Sequence, residues 1–171
     1  MARTLEELAS DSIDGLYQGA LFLSGGHEGD AEALLMDTMT LAFHEYAGGA
    51  PTRQAVEHWL EARLVRSYLA DAPTHVEGYV TGDPGRQGVA QGSGLRELGP
   101  AQLFTAAGAL PPWPRAALWL VLLRRRGYGE AARVLGIEVD RLRDLLRYRD
   151  ALLRQVLRWS GGGDGTTGTM T

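Results

Sequence analysis

The run LPPWPRAALWLVLLRRRGYGEAARVLGIEVDRLRDLLRYRDALLRQVLR, Leu110 to Arg158, decides how the chain is read. It opens on a proline cluster and contains one short turn, Leu135-Gly136-Ile137. Pro114 suits a helix start, where its missing N–H is not needed. Ala117, Leu118, Val121 and Leu122 form the expected buried stripe, and Gly127 is the expected terminator. Beyond the turn, a second helix starts near Val139, with Leu142, Leu145 and Leu146 facing inward. A short helix, a tight glycine turn and a basic helix make a helix-turn-helix. The second helix of that motif lies in the major groove. Arg141, Arg143, Arg147 and Arg149 fall on its exposed or flanking faces, and arginine suits both phosphate and guanine contacts. Asp140 and Asp144 form a like-charge i,i+4 pair on the same helix and argue for a plain solvated face.

Upstream, the chain is helical in pattern. Thr4-Leu5-Glu6-Glu7 is a capping box. Leu5, Leu8, Ile13, Leu16 and Leu21 follow at roughly helical spacing, and Ser24-Gly25-Gly26 ends the segment. A second helix begins at Asp30 and carries Leu34, Leu35, Met39, Ala42, Phe43 and Tyr46 on its apolar face. Gly48 to Pro51 stops it. Thr52 then caps a third helix, with Val56, Trp59, Leu60, Leu64 and Tyr68 on one side. Eight glycines fall between residues 71 and 109, which reads as a flexible connector, with a short helix around Ala101 to Phe104. The tail from residue 160 is expected to be disordered. The expected fold is all-α: a helical domain over 1–70, a linker over 71–109 and a helix-turn-helix domain over 110–159.

Charge divides along the same line. Residues 1–109 carry a net −9 and residues 110–160 a net +6, within an overall −4. An acidic half attached to a basic one points to an anionic partner for the second. All 17 basic residues are arginine. The 171 residues suffice for one medium domain or two small ones. The absence of cysteine excludes disulfides, cysteine zinc sites and a thiol nucleophile. No apolar run reaches the roughly 18 residues of a membrane span, and the acidic start is unlike a signal peptide. The chain therefore reads as soluble and cytoplasmic.

Catalysis finds no support. His27, His44, His58 and His75 show no metal-ligand spacing, so no metal or other cofactor is expected. Gly82 to Gly88 is glycine-rich but lacks the Gly-Lys and hydroxyl ending of a phosphate loop. The serines have no nucleophile motif around them.

Two stretches carry a family resemblance. Leu110-Pro111-Pro112, followed by Tyr128-Gly129-Glu130-Ala131-Ala132-Arg133-Val134-Leu135-Gly136-Ile137, resembles the carboxy-terminal helix-turn-helix of extracytoplasmic-function sigma factors. Leu16-Tyr17 and the helix from Gly29-Asp30-Ala31-Glu32 to Ala42-Phe43 resemble that family's polymerase-binding helix, and Trp59-Leu60 matches a pair in the next. The resemblance implies a first domain that binds the clamp coiled coil of core RNA polymerase through Asp30, Glu32, Leu35, Asp37 and Phe43. The third helix would face the minus-ten element of promoter DNA with Trp59, Arg63, Arg66 and Tyr68. The second domain would read the minus-thirty-five element through Arg141, Arg143 and Arg147, and an anti-sigma factor is a possible further partner. A flexible linker would let both domains engage DNA together.

The chain also departs from the family pattern. Ala33 and Met36 replace expected acidic and amide residues, and Ala62 and Val65 stand where basic ones are usual. Glu138 takes the place of a small polar cap. These departures define the second reading: a sigma-like regulatory protein that binds polymerase or another protein without initiating transcription.

Overall fold

The computed structural model describes residues 5–46, 52–70, 72 and 100–150. All regular structure among them is helical. The elements are α1 (Leu5–Leu23), α2 (Glu28–Glu45), α3 (Arg53–Ala70), α4 (Pro100–Gly108), α5 (Pro112–Leu118), α6 (Tyr128–Leu135) and α7 (Val139–Leu146). A turn of π-helix, Trp119–Leu123, continues α5.

Local signals set the helix ends. Gly25 is left-handed at φ 66°. Its N–H reaches Phe22 O at 3.2 Å, and the Gly26 N–H reaches Leu21 O at 2.8 Å. That double bond satisfies two end carbonyls, and only glycine takes the positive φ without cost. Helix α2 starts two residues before the expected Asp30. Thr52 caps α3 as expected, its Oγ1 accepting the Ala55 N–H at 3.2 Å. The capping residue Thr4, the stop at Gly48 to Pro51 and the tail lie outside the described residues. So do 73–99 of the expected connector, whose last part is helix α4 packed on α1.

One hydrophobic core runs through both halves. It joins Leu16, Phe22 and Leu23 of α1 and Val56, Leu60 and Leu64 of α3 to Leu118, Trp119 and Leu120, and on to Leu135, Leu142 and Leu145. Among the described residues, the helices on either side of the expected connector share this core. Helices α4 and α5 pack directly on α1, and α6 packs on α3. Trp119 makes the closest fit. A Cβ at Gly19 would stand 2.4 Å from its ring, so the indole fits only where α1 has no side chain.

Several expected core positions move. Ile13 and Phe43 are exposed, because α1 and α2 each turn a different face to the bundle. Leu146 is half-buried rather than inside. In the π turn that continues α5, Trp119 and Leu120 are buried while Val121 and Leu122 are only half so. This segment lies between α1 on one side and α6 on the other, so one amphipathic stripe cannot describe it. The π turn bonds Arg124 N–H to Trp119 O at 3.0 Å, five residues back, and rotates the residues after it. The terminator is Arg125, left-handed at φ 53°, and not Gly127, which instead precedes α6 as its cap.

Candidate nucleic-acid and protein interfaces

The helix-turn-helix is built by α6 and α7. Ala131, Ala132 and Leu135 bury one face of α6. Gly136 then turns left-handed at φ 68°, and the Ile137 N–H bonds Ala132 O at 3.0 Å. This caps α6 and redirects the chain within three residues, a geometry that favours glycine. Glu138 is extended and precedes α7 without a side-chain cap. Leu142 and Leu145 bury the inner face of α7 against α5 and α6. Leu135 and Gly136 therefore do what the sequence pattern requires of them.

The outer face of α7 is a chequer of charge. Arg143 Nη1 lies 2.5 Å from Asp140 Oδ1, and Arg147 Nη2 lies 3.3 Å from Asp144 Oδ1. The two aspartates therefore do not face each other unrelieved; each has an arginine three residues on. Both arginine side chains stay well exposed, at 60% and 75%. Pairs this open are worth under about 1 kcal/mol, so another anion can displace them. Arg149 is exposed and Arg141 half-buried. Arg143, Arg147, Arg149 and Asp150 border a shallow notch of about 430 Å³ with Val121, Leu122, Leu146 and Tyr128.

The α3 residues expected to meet DNA have other partners here. Trp59 stands edge-on to Tyr46, with ring centroids 5.5 Å apart. Tyr68 lies beneath the Arg115 guanidinium, 6.0 Å from its ring centre. Burial pushes the Tyr68 phenol above its usual pKa, and Arg115 opposes that rise. Burial also draws the Arg115 guanidinium below its ordinary value. Arg66 Nε donates to Val134 O of α6 at 3.4 Å. Arg63 is half-buried with its Nε unpaired.

Helix α2 leaves its outer face open. Asp30, Glu32 and Asp37 are exposed, and Leu35 is half-buried. Asp37 Oδ2 accepts the Ser67 hydroxyl at 3.1 Å. Phe43 is 45% exposed and Met36 65%. At 100° per residue, Glu32, Met36 and Phe43 fall within about 40° of one another. Met36 is not among the contacts expected from sequence, although its spacing of seven residues to Phe43 puts both on this face.

Two further clusters were not foreseen. Glu61 of α3 is only 2% exposed. Its Oε1 accepts Arg124 Nε at 2.7 Å, and its Oε2 accepts Arg126 Nε at 2.9 Å and Nη2 at 2.6 Å. Arg126 Nη1 also meets His58 Nε2 at 2.5 Å and Glu130 Oε1 at 3.4 Å. Because arginine only donates, His58 Nε2 is the acceptor, which places the ring proton on Nδ1 towards Glu130, 3.5 Å away. In the second cluster, Arg115 Nη1 donates to Leu23 O at 2.5 Å. Its Nη2 donates to Gly108 O at 2.8 Å and Leu110 O at 2.6 Å. One cation thus closes the carboxy-terminal ends of α1 and α4, where the helix dipole favours it. Among the described residues no group of His, Asp or Glu is placed to hold a metal ion, and no helix is long and apolar enough to cross a membrane.

No family model matches the chain, and no curated protein matches it.

Proposed function

We propose that the chain is a sigma-type transcription protein of the extracytoplasmic-function kind. It acts in the cytoplasm, docks on core RNA polymerase through α2 and engages promoter DNA through α6 and α7. The observation that carries this reading is the α6–Gly136–α7 unit, a helix-turn-helix whose second helix turns Arg143 outward, with Arg147 at its C-cap and Arg149 just beyond it also exposed. That is the placement from which a recognition helix reaches a groove. The α2 face supports the second contact, since exposed Met36 and Phe43 beside Glu32 suit a partner with an apolar and basic surface. Reconstituted transcription with matched core enzyme over a genomic template library tests it. A promoter-dependent transcript is expected, and none at all sinks the initiating role.

A second reading has its own observation. The Arg143–Asp140 and Arg147–Asp144 pairs leave the outer face of α7 close to neutral. A regulatory protein that binds polymerase or another protein and touches DNA weakly would show such a face. Salt dependence separates the two. Each phosphate contact lowers log affinity by about 0.9 per log unit of salt. A flat response favours the regulatory role.

A further inference from the structure

The closed packing conflicts with simultaneous engagement of two promoter elements. Elements centred about 25 base pairs apart lie roughly 85 Å apart at 3.4 Å per step. A compact chain of this length has a radius of gyration near 15 Å and spans about 40 Å. The same packing takes up residues that the DNA reading assigns to α3, namely Arg66 and Tyr68.

The contact between the halves is also unusual in its chemistry. At its centre sits a carboxylate, Glu61, with two arginines of the opposite half upon it. A buried ion pair holds an interface less tightly than apolar side chains of the same volume, but it can exchange one anion for another. Arg124 and Arg126 come from the run Arg124-Arg125-Arg126, and the middle residue is exposed at φ 53°. A left-handed arginine is strained where glycine would not be, and strain of this kind gathers at functional sites. The adjoining π turn aims its two neighbours at Glu61.

We propose that this packing is an autoinhibited state. Glu61 occupies Arg124 and Arg126, and the Trp119 indole plugs the gap at Gly19. Opening frees both arginines for the phosphates of duplex DNA and uncovers α3. The inference rests on the DNA-binding role proposed above and adds its regulation.

The test uses the full chain, which has no cysteine of its own. Spin labels on T40C in α2 and G129C in α6, both exposed positions, report the separation of the halves by pulsed electron resonance. The labelled parent gives one narrow short distance without DNA and a longer one when saturated with duplex DNA. E61Q removes the charge from one side of the contact. G19A leaves the charges intact and drives a methyl group into the Trp119 ring. Each variant lengthens the distance without DNA and raises duplex affinity by about tenfold or more, the tax on a form closed at least nine times in ten. Adding R124Q and R126Q to E61Q lowers the salt slope by about 1.8, for two lost phosphate contacts. Circular dichroism confirms that each variant is folded, and G19A decides if E61Q is not. A parent that binds duplex DNA with its distance unchanged overturns the proposal and leaves the DNA reading standing. Variants that open without gaining affinity also overturn it. If neither the parent nor the folded variants bind duplex DNA, the DNA reading falls and this inference with it.

Discussion

Two junctions hold the carboxy-terminal helices on the amino-terminal bundle, and they use opposite chemistry. At the first, Arg115 supplies a cation to three neutral carbonyls, Leu23 O, Gly108 O and Leu110 O. At the second, Glu61 supplies an anion to two arginines. Two of these carbonyls, of Leu23 and Gly108, end helices, and that of Leu110 follows just after α4. The arginines have other anions to go to, and phosphate is one. The first junction is therefore held by backbone acceptors and the second by an exchangeable ion pair, and both part when the halves open.

The widest break comes from removing the largest fully buried side chain between the halves. Trp119→Ala should cost about 3–5 kcal/mol in denaturant unfolding, because it leaves a cavity where the indole fills the gap at Gly19. A loss under about 1 kcal/mol, less than any large buried truncation costs, would mean the indole does not sit in the Gly19 gap.

Glu61→Ala should cost about 3–5 kcal/mol, since it leaves two cations facing each other at a buried contact. The sharper version replaces Glu61, Arg124 and Arg126 together by leucine. That triple variant should recover parental stability or exceed it by about 1–4 kcal/mol, as apolar replacements of buried ion pairs often do. If the triple variant is as weak as Glu61→Ala, the junction is not an exchangeable ion pair.

Arg115→Met should cost about 2–3 kcal/mol through unpaired carbonyls. No second substitution should rescue it, because its acceptors are backbone. Thermal unfolding of the single variant and of its combinations would show this.

At the small end, Arg125→Gly should raise stability by about 1 kcal/mol through relief of its left-handed backbone. Asp140→Asn should shift it by less than about 0.5 kcal/mol, since its pair with Arg143 is open to solvent. A large loss in Arg125→Gly would mean that the arginine side chain holds the turn, contrary to the strain argument.

Much of the local architecture is legible along the chain. Gly25-Gly26 and Gly136 stop helices where the pattern says they should, because a left-handed residue and its two hydrogen bonds involve only neighbours within five positions. The turn of the helix-turn-helix follows from the same cause. The arginines of α7 are likewise where the spacing of Leu142 and Leu145 puts them. Their pairing with Asp140 and Asp144 at i,i+3 is equally local, yet the sequence pattern weighs only the repulsion between the two acids.

What the spacing could not show is which faces meet. Ile13 and Phe43 fit an apolar stripe and yet lie exposed, while Trp119 and Leu120 go inside, because the end of α5 is enclosed from two sides. The candidate DNA residues Trp59, Arg66 and Tyr68 do lie on α3, but their partners Tyr46, Val134 and Arg115 come from other elements.

The sequence by itself determined the helical character, the glycine stops at Gly25-Gly26 and Gly136, the charge division and the tight turn before α7, since all of these arise from neighbours along the chain. Only the tertiary structure decided that Glu61 meets Arg124 and Arg126, that Arg115 closes two helices, and that Gly19 is a slot for Trp119. The pairs Glu61–Arg124, Glu61–Arg126, Arg115–Leu23 and Gly19–Trp119 stand 63 to 100 positions apart. Such contacts form only when the core has brought the two halves together.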